Sequence, residues 1–291
     1  MIDRSNLGFG CVALTKHKTV AEAIKMLSLT FSEGITHFDT APLYGQGYSE
    51  KILGIFLKGK RSAVTVTTKC GLLPQHASSI SPYIMLPLNA IKKRIKTTEL
   101  KFNNSTDAPA PLKFRVIDLA YVKKSLEVSL KNLKTDYIDY YFLHEALPTF
   151  LSDGAKKYLY DAKESGVIKR LGISAGYVNL VNLEEEEITE WGCLQYENNK
   201  FYNSDFTIKK FETKKHFFHS TLKFLMKANE SGNSKSQVAG ILLNNACRNN
   251  KLGKVLFSTS VAENLRYNLQ ALDEVNNMSN SDLKILVDAI Y

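Results

Sequence analysis

Four polar side chains lie at, or just beyond, the ends of three consecutive segments rich in apolar and β-branched residues: Asp39, Tyr44, Lys69 and His144. An ammonium group beside a phenol favours the phenolate and lowers the phenol pKa from about 10, and a carboxylate can pair with that ammonium. A neighbouring imidazole can donate a hydrogen bond to a substrate oxygen. Together these groups suit proton transfer to a carbonyl oxygen while hydride reaches its carbon.

Each of these residues also has a purely structural interpretation. Asp39 could cap a turn, Tyr44 could be a core aromatic residue, Lys69 could lie on a charged rim, and His144 could be a hydrogen-bonded core histidine. For any one residue alone the structural interpretation is favoured. The convergence of four suitable residue types on one rim favours chemistry.

The elements that must position these residues alternate between strands and helices. Strands are predicted at residues 7–12, 35–39, 64–69, 137–143, 168–174, 193–196, 216–220 and 254–259. Helices are predicted at residues 19–33, 49–57, 121–133, 155–165, 236–249, 261–274 and 281–290, with Ser49 capping the second. Eight such units predict an α/β fold, the (β/α)8 TIM barrel, whose chemistry lies at the C-terminal ends of the strands.

The competing arrangement is an open, doubly wound sheet. That sheet would carry a phosphate-binding loop after its first strand, yet neither GxGxxG nor GxxxxGK[ST] occurs in the chain. The barrel is therefore preferred, with residues 1–291 forming a single domain. Six residues precede the first predicted strand, so little is expected to plug the barrel floor.

A long connection, residues 72–117, follows the third strand and holds five of the seven prolines. Connections of this length are uncommon and are either functional covers or disordered insertions. Because it leaves the barrel at the catalytic mouth, a cover over the active site is the preferred interpretation. Its middle, residues 103–113, has too few apolar residues to pack independently.

Composition excludes several classes of protein. No apolar run reaches the roughly 18–20 residues that cross a bilayer, and the N-terminus lacks the apolar region of a signal peptide, so a cytoplasmic protein is expected. The four cysteines are scattered without CxxC pairs, and neither a disulfide framework nor a metal site is indicated. The net charge of +9 is spread along the chain without a nucleic-acid-binding motif, so no nucleic-acid partner is expected.

Several stretches resemble the aldo-keto reductase family. They are FDTAPLYGQGYSEKILG (38–54), TTKCG (67–71), DYIDYYFLHE (136–145) and GVIKRLGIS (166–174). The resemblance covers essentially the whole chain and is strongest over residues 7–174. It is nearest to the bacterial sugar (aldose) dehydrogenase-like branch, which also has a long insertion after the third strand.

The resemblance implies an NAD(P)(H)-dependent oxidoreductase that acts on an aldehyde, a ketone or a sugar. Tyr44 would be the general acid–base, with Lys69 and Asp39 tuning its pKa. His144 would orient and polarise the carbonyl group. The expected partner is thus a small-molecule carbonyl or sugar substrate, and the chain is expected to be a monomer or a small homo-oligomer.

The resemblance also implies a set of cofactor contacts. Ser174 and Gln195 match positions that hold the nicotinamide carboxamide, beside Asp39, while Ala175 replaces the usual asparagine. The segment from His219 through Ser220 to Leu222 matches an aromatic stacking position and a pyrophosphate loop. The stretch 257–268 matches the segment that grips the adenosine phosphate at a helix N-terminus. Its matching residues are Ser258, Thr259, Ser260, Asn264 and Asn268.

The family resemblance and the residues at the matching positions favour different cofactors. The family mostly uses NADP(H), which makes NADP(H) the first expectation and NAD(H) the alternative. The family's basic residues for the 2′-phosphate fall at Ser258 and Asn264, which carry no charge, although Arg266 is nearby. A non-catalytic protein that binds the cofactor as a sensor or auxiliary subunit on the same fold remains the rival function.

Overall fold

The computed structural model describes residues 2–72, 81–87, 89, 116–202, 204–223 and 234–290. Eight parallel strands pair in chain order and close into a barrel, which confirms the predicted (β/α)8 architecture. The strands are β1 (Leu7–Gly10), β2 (His37–Asp39), β3 (Thr65–Cys70), β4 (Ile138–His144), β5 (Ile168–Ser174), β6 (Cys193–Glu197), β7 (Lys215–His219) and β8 (Lys254–Phe257).

Helices surround this barrel. They are α1 (Val20–Ser32), α2 (Tyr48–Phe56), α3 (Leu119–Leu133), α4 (Asp153–Glu164), α5 (Tyr177–Val181), α6 (Ser204–Lys210), α7 (Lys235–Asn249), α8 (Ala262–Glu274) and α9 (Asn280–Ile290). Residues 82–87 are also helical. The two short helices α5 and α6 were not predicted, because five and seven residues are too few to show a clear helical period.

Side-chain caps explain where several helices begin. Thr19, Asp118 and Ser152 each accept a hydrogen bond from a backbone N–H in the first turn of α1, α3 and α4. The prediction that Ser49 caps α2 is wrong. That helix begins after Gly47, and Ser49 is buried inside it, where its Oγ donates to the carbonyl oxygen of Cys11 at 3.0 Å.

Several strands are shorter than predicted because hydrogen bonds at their ends go to turns. The N–H of Ile35 donates to Thr30 at 3.3 Å and closes the end of α1, so β2 begins only at His37. After Phe257, the N–H of Val261 donates to the hydroxyl of Thr259 at 3.1 Å, which turns the chain toward α8. β1 ends at Gly10, where a 3-10 helix over Cys11–Lys16 begins.

The middle of the barrel is filled with aromatic rings. Phe217 lies 4.9 Å from Tyr140, 5.2 Å from Phe142 and 5.4 Å from His37, measured between ring centroids. His37 is fixed in place by contacts of 2.9 Å with Thr65 and 3.2 Å with Thr67. This aromatic layer separates the C-terminal mouth of the barrel from its N-terminal floor.

Most of the long connection, namely residues 73–80, 88 and 90–115, lies outside the described residues. The predicted active-site cover and the weakly apolar middle at 103–113 therefore stay predictions. Where the connection rejoins the barrel, Ile117 forms a parallel bridge with Leu151, and α3 follows. No helix in the described part of the chain has the length and apolar character needed to span a bilayer.

Candidate active site

A buried ion pair joins the ends of two neighbouring strands at the barrel mouth. Lys69 near the end of β3 donates from Nζ to Oδ1 of Asp39 at 2.6 Å, and Asp39 is the last residue of β2. The side chains are only 1% and 4% exposed. The carbonyl oxygen of Thr40 accepts a further hydrogen bond from Lys69 at 3.0 Å. These contacts satisfy two charges that would otherwise be costly to bury.

Tyr44 reaches the same ammonium group from the loop after β2. Its hydroxyl lies 3.4 Å from Nζ of Lys69, and the ammonium stands 5.0 Å from the ring centroid. The loop turns sharply because Gly45 has a φ of +57°, and a Cβ at that position would collide with Thr15. Glycine here lets the backbone bring the phenol back over the mouth.

Burial opposes the expected effect of Lys69 on the Tyr44 phenol. Desolvation raises the pKa of Tyr44 above its ordinary value of 10, while Lys69 lowers it and Asp39 raises it further. The net effect of the described residues is to raise the pKa of Tyr44. The prediction of a lowered pKa is therefore wrong for the site that these residues form. Burial also disfavours charge on Lys69, but Asp39 and Tyr44 outweigh it and raise the pKa of the ammonium. A protonated phenol therefore faces a protonated lysine.

His144, the last residue of β4, forms the opposite wall. Its ring meets that of Tyr44 edge to face, with 6.1 Å between the centroids. Burial, with Lys69 and His219, lowers the pKa of His144 from 6.5 to about 3, so its imidazole is neutral. Its Nδ1 is buried without a partner among the described residues. Gly71 packs on its backbone, and a Cβ there would lie 2.7 Å from the His144 carbonyl oxygen.

Behind these residues lies a buried carboxylate that was not predicted as a site residue. Glu50 on α2 accepts hydrogen bonds from Thr68 at 2.7 Å and from Asn132 at 3.1 Å. Because Thr68 precedes Lys69 on β3, these contacts tie α2 and α3 to the strand that carries the ammonium. The residue type and its place inside an amphipathic helix were visible signals, since a carboxylate on a buried helical face needs polar partners.

One cavity of about 730 Å³ opens above the four proposed catalytic residues. Asp39, Tyr44 and His144 line it directly, while Lys69 lies beneath them. Besides Asp39, six residues of the predicted cofactor set line it: Ser174, Gln195, His219, Ser220, Leu222 and Ser258. The structure thus brings the proposed catalytic residues and the nicotinamide half of the predicted cofactor site together.

The adenosine half of the predicted set is more dispersed. Thr259 does not line the cavity. Its hydroxyl accepts a hydrogen bond from the N–H of Val261 in the turn before α8. Asn264 is exposed and Asn268 partly exposed, one turn apart on α8. Ser260 lines a second cavity of about 290 Å³, together with Arg266 and Lys25 of α1. Arg266 therefore points to a pocket beside the main cavity rather than into it.

Besides Nδ1 of His144, two buried polar atoms of residues that line the main cavity have no hydrogen-bond partner among the described residues. They are Oε1 of Gln195 and the hydroxyl of Thr221. The other end of the Gln195 amide is fixed, since Nε2 donates to Oδ2 of Asp39 at 2.9 Å. A buried polar atom left unsatisfied costs about 1–3 kcal/mol, so both atoms fit a ligand with polar groups. Amide N–H groups suit Gln195, and phosphate oxygens suit the hydroxyl of Thr221.

The cavity also contains residues that the sequence analysis did not select. Lys16, Glu145, Thr221 and Lys223 all line it. Lys16 ends the 3-10 helix after β1, and Glu145 follows His144 with a φ of +53°, a conformation that is uncommon outside glycine. Their positions just after strand ends were the available signal, because residues after strand ends build barrel sites.

Comparisons with known proteins agree with this arrangement. A model described as the aldo/keto reductase family matches residues 6–217. Among curated proteins, "Uncharacterized oxidoreductase YqkF" of Bacillus subtilis is 28% identical over 180 residues, covering 62% of this chain and 48% of the relative. "Aldo-keto reductase YhdN" of the same organism is 30% identical over 182 residues, covering 60% and 44%. The chain spans about half the length of the curated relatives it matches.

Solved structures share the fold over nearly the whole chain. An aldo-keto reductase from Bacillus halodurans in its holo form has a TM-score of 0.68 and 19% identity, covering 98% of this chain and 92% of that one. An aldo-keto reductase from Klebsiella pneumoniae in complex with NADPH has a TM-score of 0.64 and 19% identity, covering 98% and 90%. With a family match that spans most of its length and a barrel of the same kind, the chain belongs to the aldo/keto reductase family.

Proposed function

We propose that the protein is an NAD(P)(H)-dependent oxidoreductase that interconverts aldehydes or ketones, sugars among them, with alcohols, and that Tyr44 is its proton donor. The observation that carries this proposal is the chain of contacts from Tyr44 through Lys69 to Asp39. It runs from the phenol to the ammonium at 3.4 Å and on to the carboxylate at 2.6 Å, under an open cavity.

In the reductive direction, the Tyr44 hydroxyl donates its proton to the carbonyl oxygen of the substrate. The phenolate left behind is stabilised by the adjacent Lys69 ammonium, and Asp39 keeps that lysine protonated. In the oxidative direction, the phenolate takes the proton back from the alcohol. Burial holds the free phenol protonated, which suits the reductive direction.

The role proposed for His144 is to orient the carbonyl group. A neutral imidazole donates one hydrogen bond without carrying a charge that would compete with Tyr44 as the acid. The low pKa of His144 keeps the ring neutral throughout the neutral range. Nδ1 of His144 has no hydrogen-bond partner among the described residues, which supports a role for the ring in binding a polar ligand.

The proposed cofactor is NADP(H), which supplies or accepts the hydride when it is bound. Ser174 and the free Oε1 of Gln195 would hold the carboxamide, and His219 would pack against the ring. Hydroxyls of Ser220, Thr221 and Ser258, with Lys16 and Lys223, would receive the phosphates. The names of two relatives support NADP(H): "Aldo-keto reductase yakc [NADP(+)]" of Schizosaccharomyces pombe and the Klebsiella pneumoniae structure in complex with NADPH.

The test is a nicotinamide absorbance assay with aldehydes, ketones and sugars, run with NADPH and with NADH. Substrate-dependent oxidation of NADPH is expected for at least one carbonyl compound. Tight binding of NADPH without turnover of any member of a broad panel would instead support a non-catalytic, cofactor-binding protein. Absence of both binding and turnover would overturn the cofactor assignment itself.

A further inference from the structure

The barrel floor, formed by the N-terminal ends of the strands, carries three inward-facing basic residues. They are Arg170 on β5, Lys215 on β7 and Lys254 on β8, and we call them the floor cations. Residues in register on parallel strands share a face, and the register partners of the floor cations belong to the cluster inside the barrel: Tyr140, Cys193 and Phe217. Arg170 is exposed and Lys215 and Lys254 are partly exposed, so the three cations are accessible to a ligand at the floor of the barrel.

Carboxylates do not balance this charge. Within the described ranges, none of the floor cations forms an ion pair. Lys254 donates to the carbonyl oxygen of Ser5 at 2.5 Å, and Arg170 donates to the hydroxyl of Tyr140 at 3.4 Å. For the side chain of Lys215 the described residues provide no hydrogen bond.

The nearest acidic side chains are engaged elsewhere. Asp139 pairs with Arg61 at 2.7 Å and also accepts from the N–H of Val66 at 2.9 Å. Asp3 accepts from the N–H and the hydroxyl of Ser5 at 2.8 and 2.6 Å, and reaches Lys254 only through a longer-range interaction. The floor therefore keeps a positive charge that its own carboxylates leave uncompensated.

A cavity of about 580 Å³ at the start of β3, β4 and β5 is lined by one of the floor cations, Arg170. Its lining combines hydroxyl groups, two cations and one carboxylate: Thr65, Tyr137, Asp139, Tyr140, Lys169 and Arg170. Lys169 stands 5.2 Å above the ring of Tyr137, on which Arg61 is also placed at 3.8 Å. The cavity thus has donors and a concave shape, the two features that distinguish a ligand site from a charged surface.

The floor is sterically separate from the proposed active site. The aromatic layer of Phe217, Tyr140, Phe142 and His37 fills the barrel between them. The floor cations influence one another, since burial and then Lys215 lower the pKa of Lys254. Burial raises the pKa of the Cys193 thiol, and Arg170, Lys215 and Lys214 each oppose that rise.

We propose that the floor cations and the adjoining cavity form a binding site for a small oligophosphate anion. Arg170 offers a planar fork that matches two phosphate oxygens, whereas the two lysines offer compact point charges. The hydroxyls of Thr65 and Tyr140 supply uncharged donors at the same place. A ligand with several phosphate groups can neutralise several cations at once. A ligand with a single carboxylate can neutralise only one. The inference does not depend on the proposed reaction.

The test is calorimetric titration of the full chain with inorganic tripolyphosphate at moderate salt. The double variant Arg170→Gln/Lys215→Gln should raise the Kd by at least about tenfold, because two charge-assisted contacts are lost. The control Lys124→Gln/Lys131→Gln removes the same charge from the exposed surface of α3 and should leave the Kd nearly unchanged. The single variant Arg170→Gln, at an exposed position, provides the measurement if the double variant is unstable.

A second comparison distinguishes the floor from the mouth. The mouth cavity, which is proposed to receive the cofactor phosphates, is a second place where tripolyphosphate can bind. The variant Lys16→Gln/Lys223→Gln should remove only that contribution and leave the binding that Arg170→Gln/Lys215→Gln weakens. Loss of binding in this variant with retention in the floor variant would overturn the proposal, as would equal losses in the floor variant and the α3 control. The absence of binding to the unmodified chain would overturn it as well.

Discussion

Gln195 donates a hydrogen bond from Nε2 to Oδ2 of Asp39 at 2.9 Å, across the barrel mouth from β6 to β2. The other carboxylate oxygen of Asp39 accepts from Lys69. One carboxylate thereby connects the amide proposed to hold the nicotinamide with the ammonium proposed to support the proton donor. The same hydrogen bond fixes which way the Gln195 amide is turned, since Nε2 must face Asp39, and it leaves Oε1 without a partner among the described residues.

Replacing Gln195 should therefore weaken cofactor binding more than it weakens the fold. Gln195→Ala removes the free Oε1, and we expect the Kd for NADPH to rise by about tenfold, the equivalent of one hydrogen bond of roughly 1.4 kcal/mol. Fluorescence titration measures this change. Gln270→Ala on the exposed side of α8 is the control. An unchanged Kd in Gln195→Ala would contradict the proposed role.

Tyr44→Phe should nearly abolish turnover while cofactor affinity changes little. The substitution removes the proposed proton donor but keeps the ring, and loss of a general acid typically lowers the rate by about 10²–10⁴-fold. Steady-state rates and the Kd for NADPH, measured on the same preparation, test both parts. Tyr158→Phe on the surface of α4 should be fully active. Retention of most activity in Tyr44→Phe would remove Tyr44 from the mechanism.

Lys69→Met should lower the free energy of unfolding by about 3–5 kcal/mol, because it leaves the Asp39 carboxylate buried without its cation. The double variant Lys69→Met/Asp39→Asn should be destabilised by less than the sum of the single variants, since neither charge remains to be compensated. Denaturant unfolding provides these values. For comparison, Lys157→Met breaks an exposed pair with Asp161 and should cost no more than about 1 kcal/mol. Strict additivity at Lys69 and Asp39 would contradict the coupling.

His144 should make the fold sensitive to acid. Its pKa is depressed to about 3 in the folded chain, so between that value and 6.5 the unfolded chain binds a proton that the folded chain excludes. Stability contributed in this way is present above pH 6.5 and falls as the pH falls. Going from about pH 7 to about pH 5 should cost about 2 kcal/mol through this residue.

The variant His144→Asn isolates this contribution from that of the other buried histidines. Its free energy of unfolding should decline less steeply with falling pH than that of the unmodified chain. Denaturant titrations at the two pH values measure the difference. Parallel pH dependences for the two proteins would show that His144 is not held neutral by burial.

Arg266→Ala should weaken NADPH binding by about tenfold and leave NADH binding unchanged, if the 2′-phosphate reaches the second cavity, where Arg266 and Lys25 lie beside Ser260. Because Ser258 and Asn264 carry no charge, we expect the unmodified chain to prefer NADPH over NADH by roughly tenfold to a hundredfold at most, about 1.4–3 kcal/mol. Lys284→Ala on α9 is the matched control. A thousandfold preference that survives Arg266→Ala would assign the phosphate to another basic residue.

The barrel and the proposed catalytic residues were predictable because each depends on local pattern and strand order. Buried runs of strand residues and capped amphipathic helices alternate along the chain, and parallel strands bring their C-terminal ends to one rim. Asp39, Lys69 and His144 each sit at such an end, so their proximity follows from topology alone. Tyr44 required one further step, the glycine turn that folds it back.

Properties that depend on packing between distant segments were not predictable. The pKa of Tyr44 rises because burial destabilises the phenolate by more than Lys69 stabilises it. The balance of these two effects cannot be predicted from a local sequence pattern. Leu265 and Leu269 face the core on α8, so the helical period already placed Asn264 and Asn268 together on a neighbouring face. Their distance from the main cavity depended on the angle at which α8 leaves β8.

The close packing of Gly71 against the backbone of His144 has a consequence for which substitutions residue 71 can tolerate. Gly71 is the residue at which the chain leaves β3 for the long connection, and its φ of +121° together with the 2.7 Å approach excludes any side chain. A side chain at this position would displace the backbone of His144. Gly71 therefore couples the point at which the connection starts to the position of the proposed catalytic histidine.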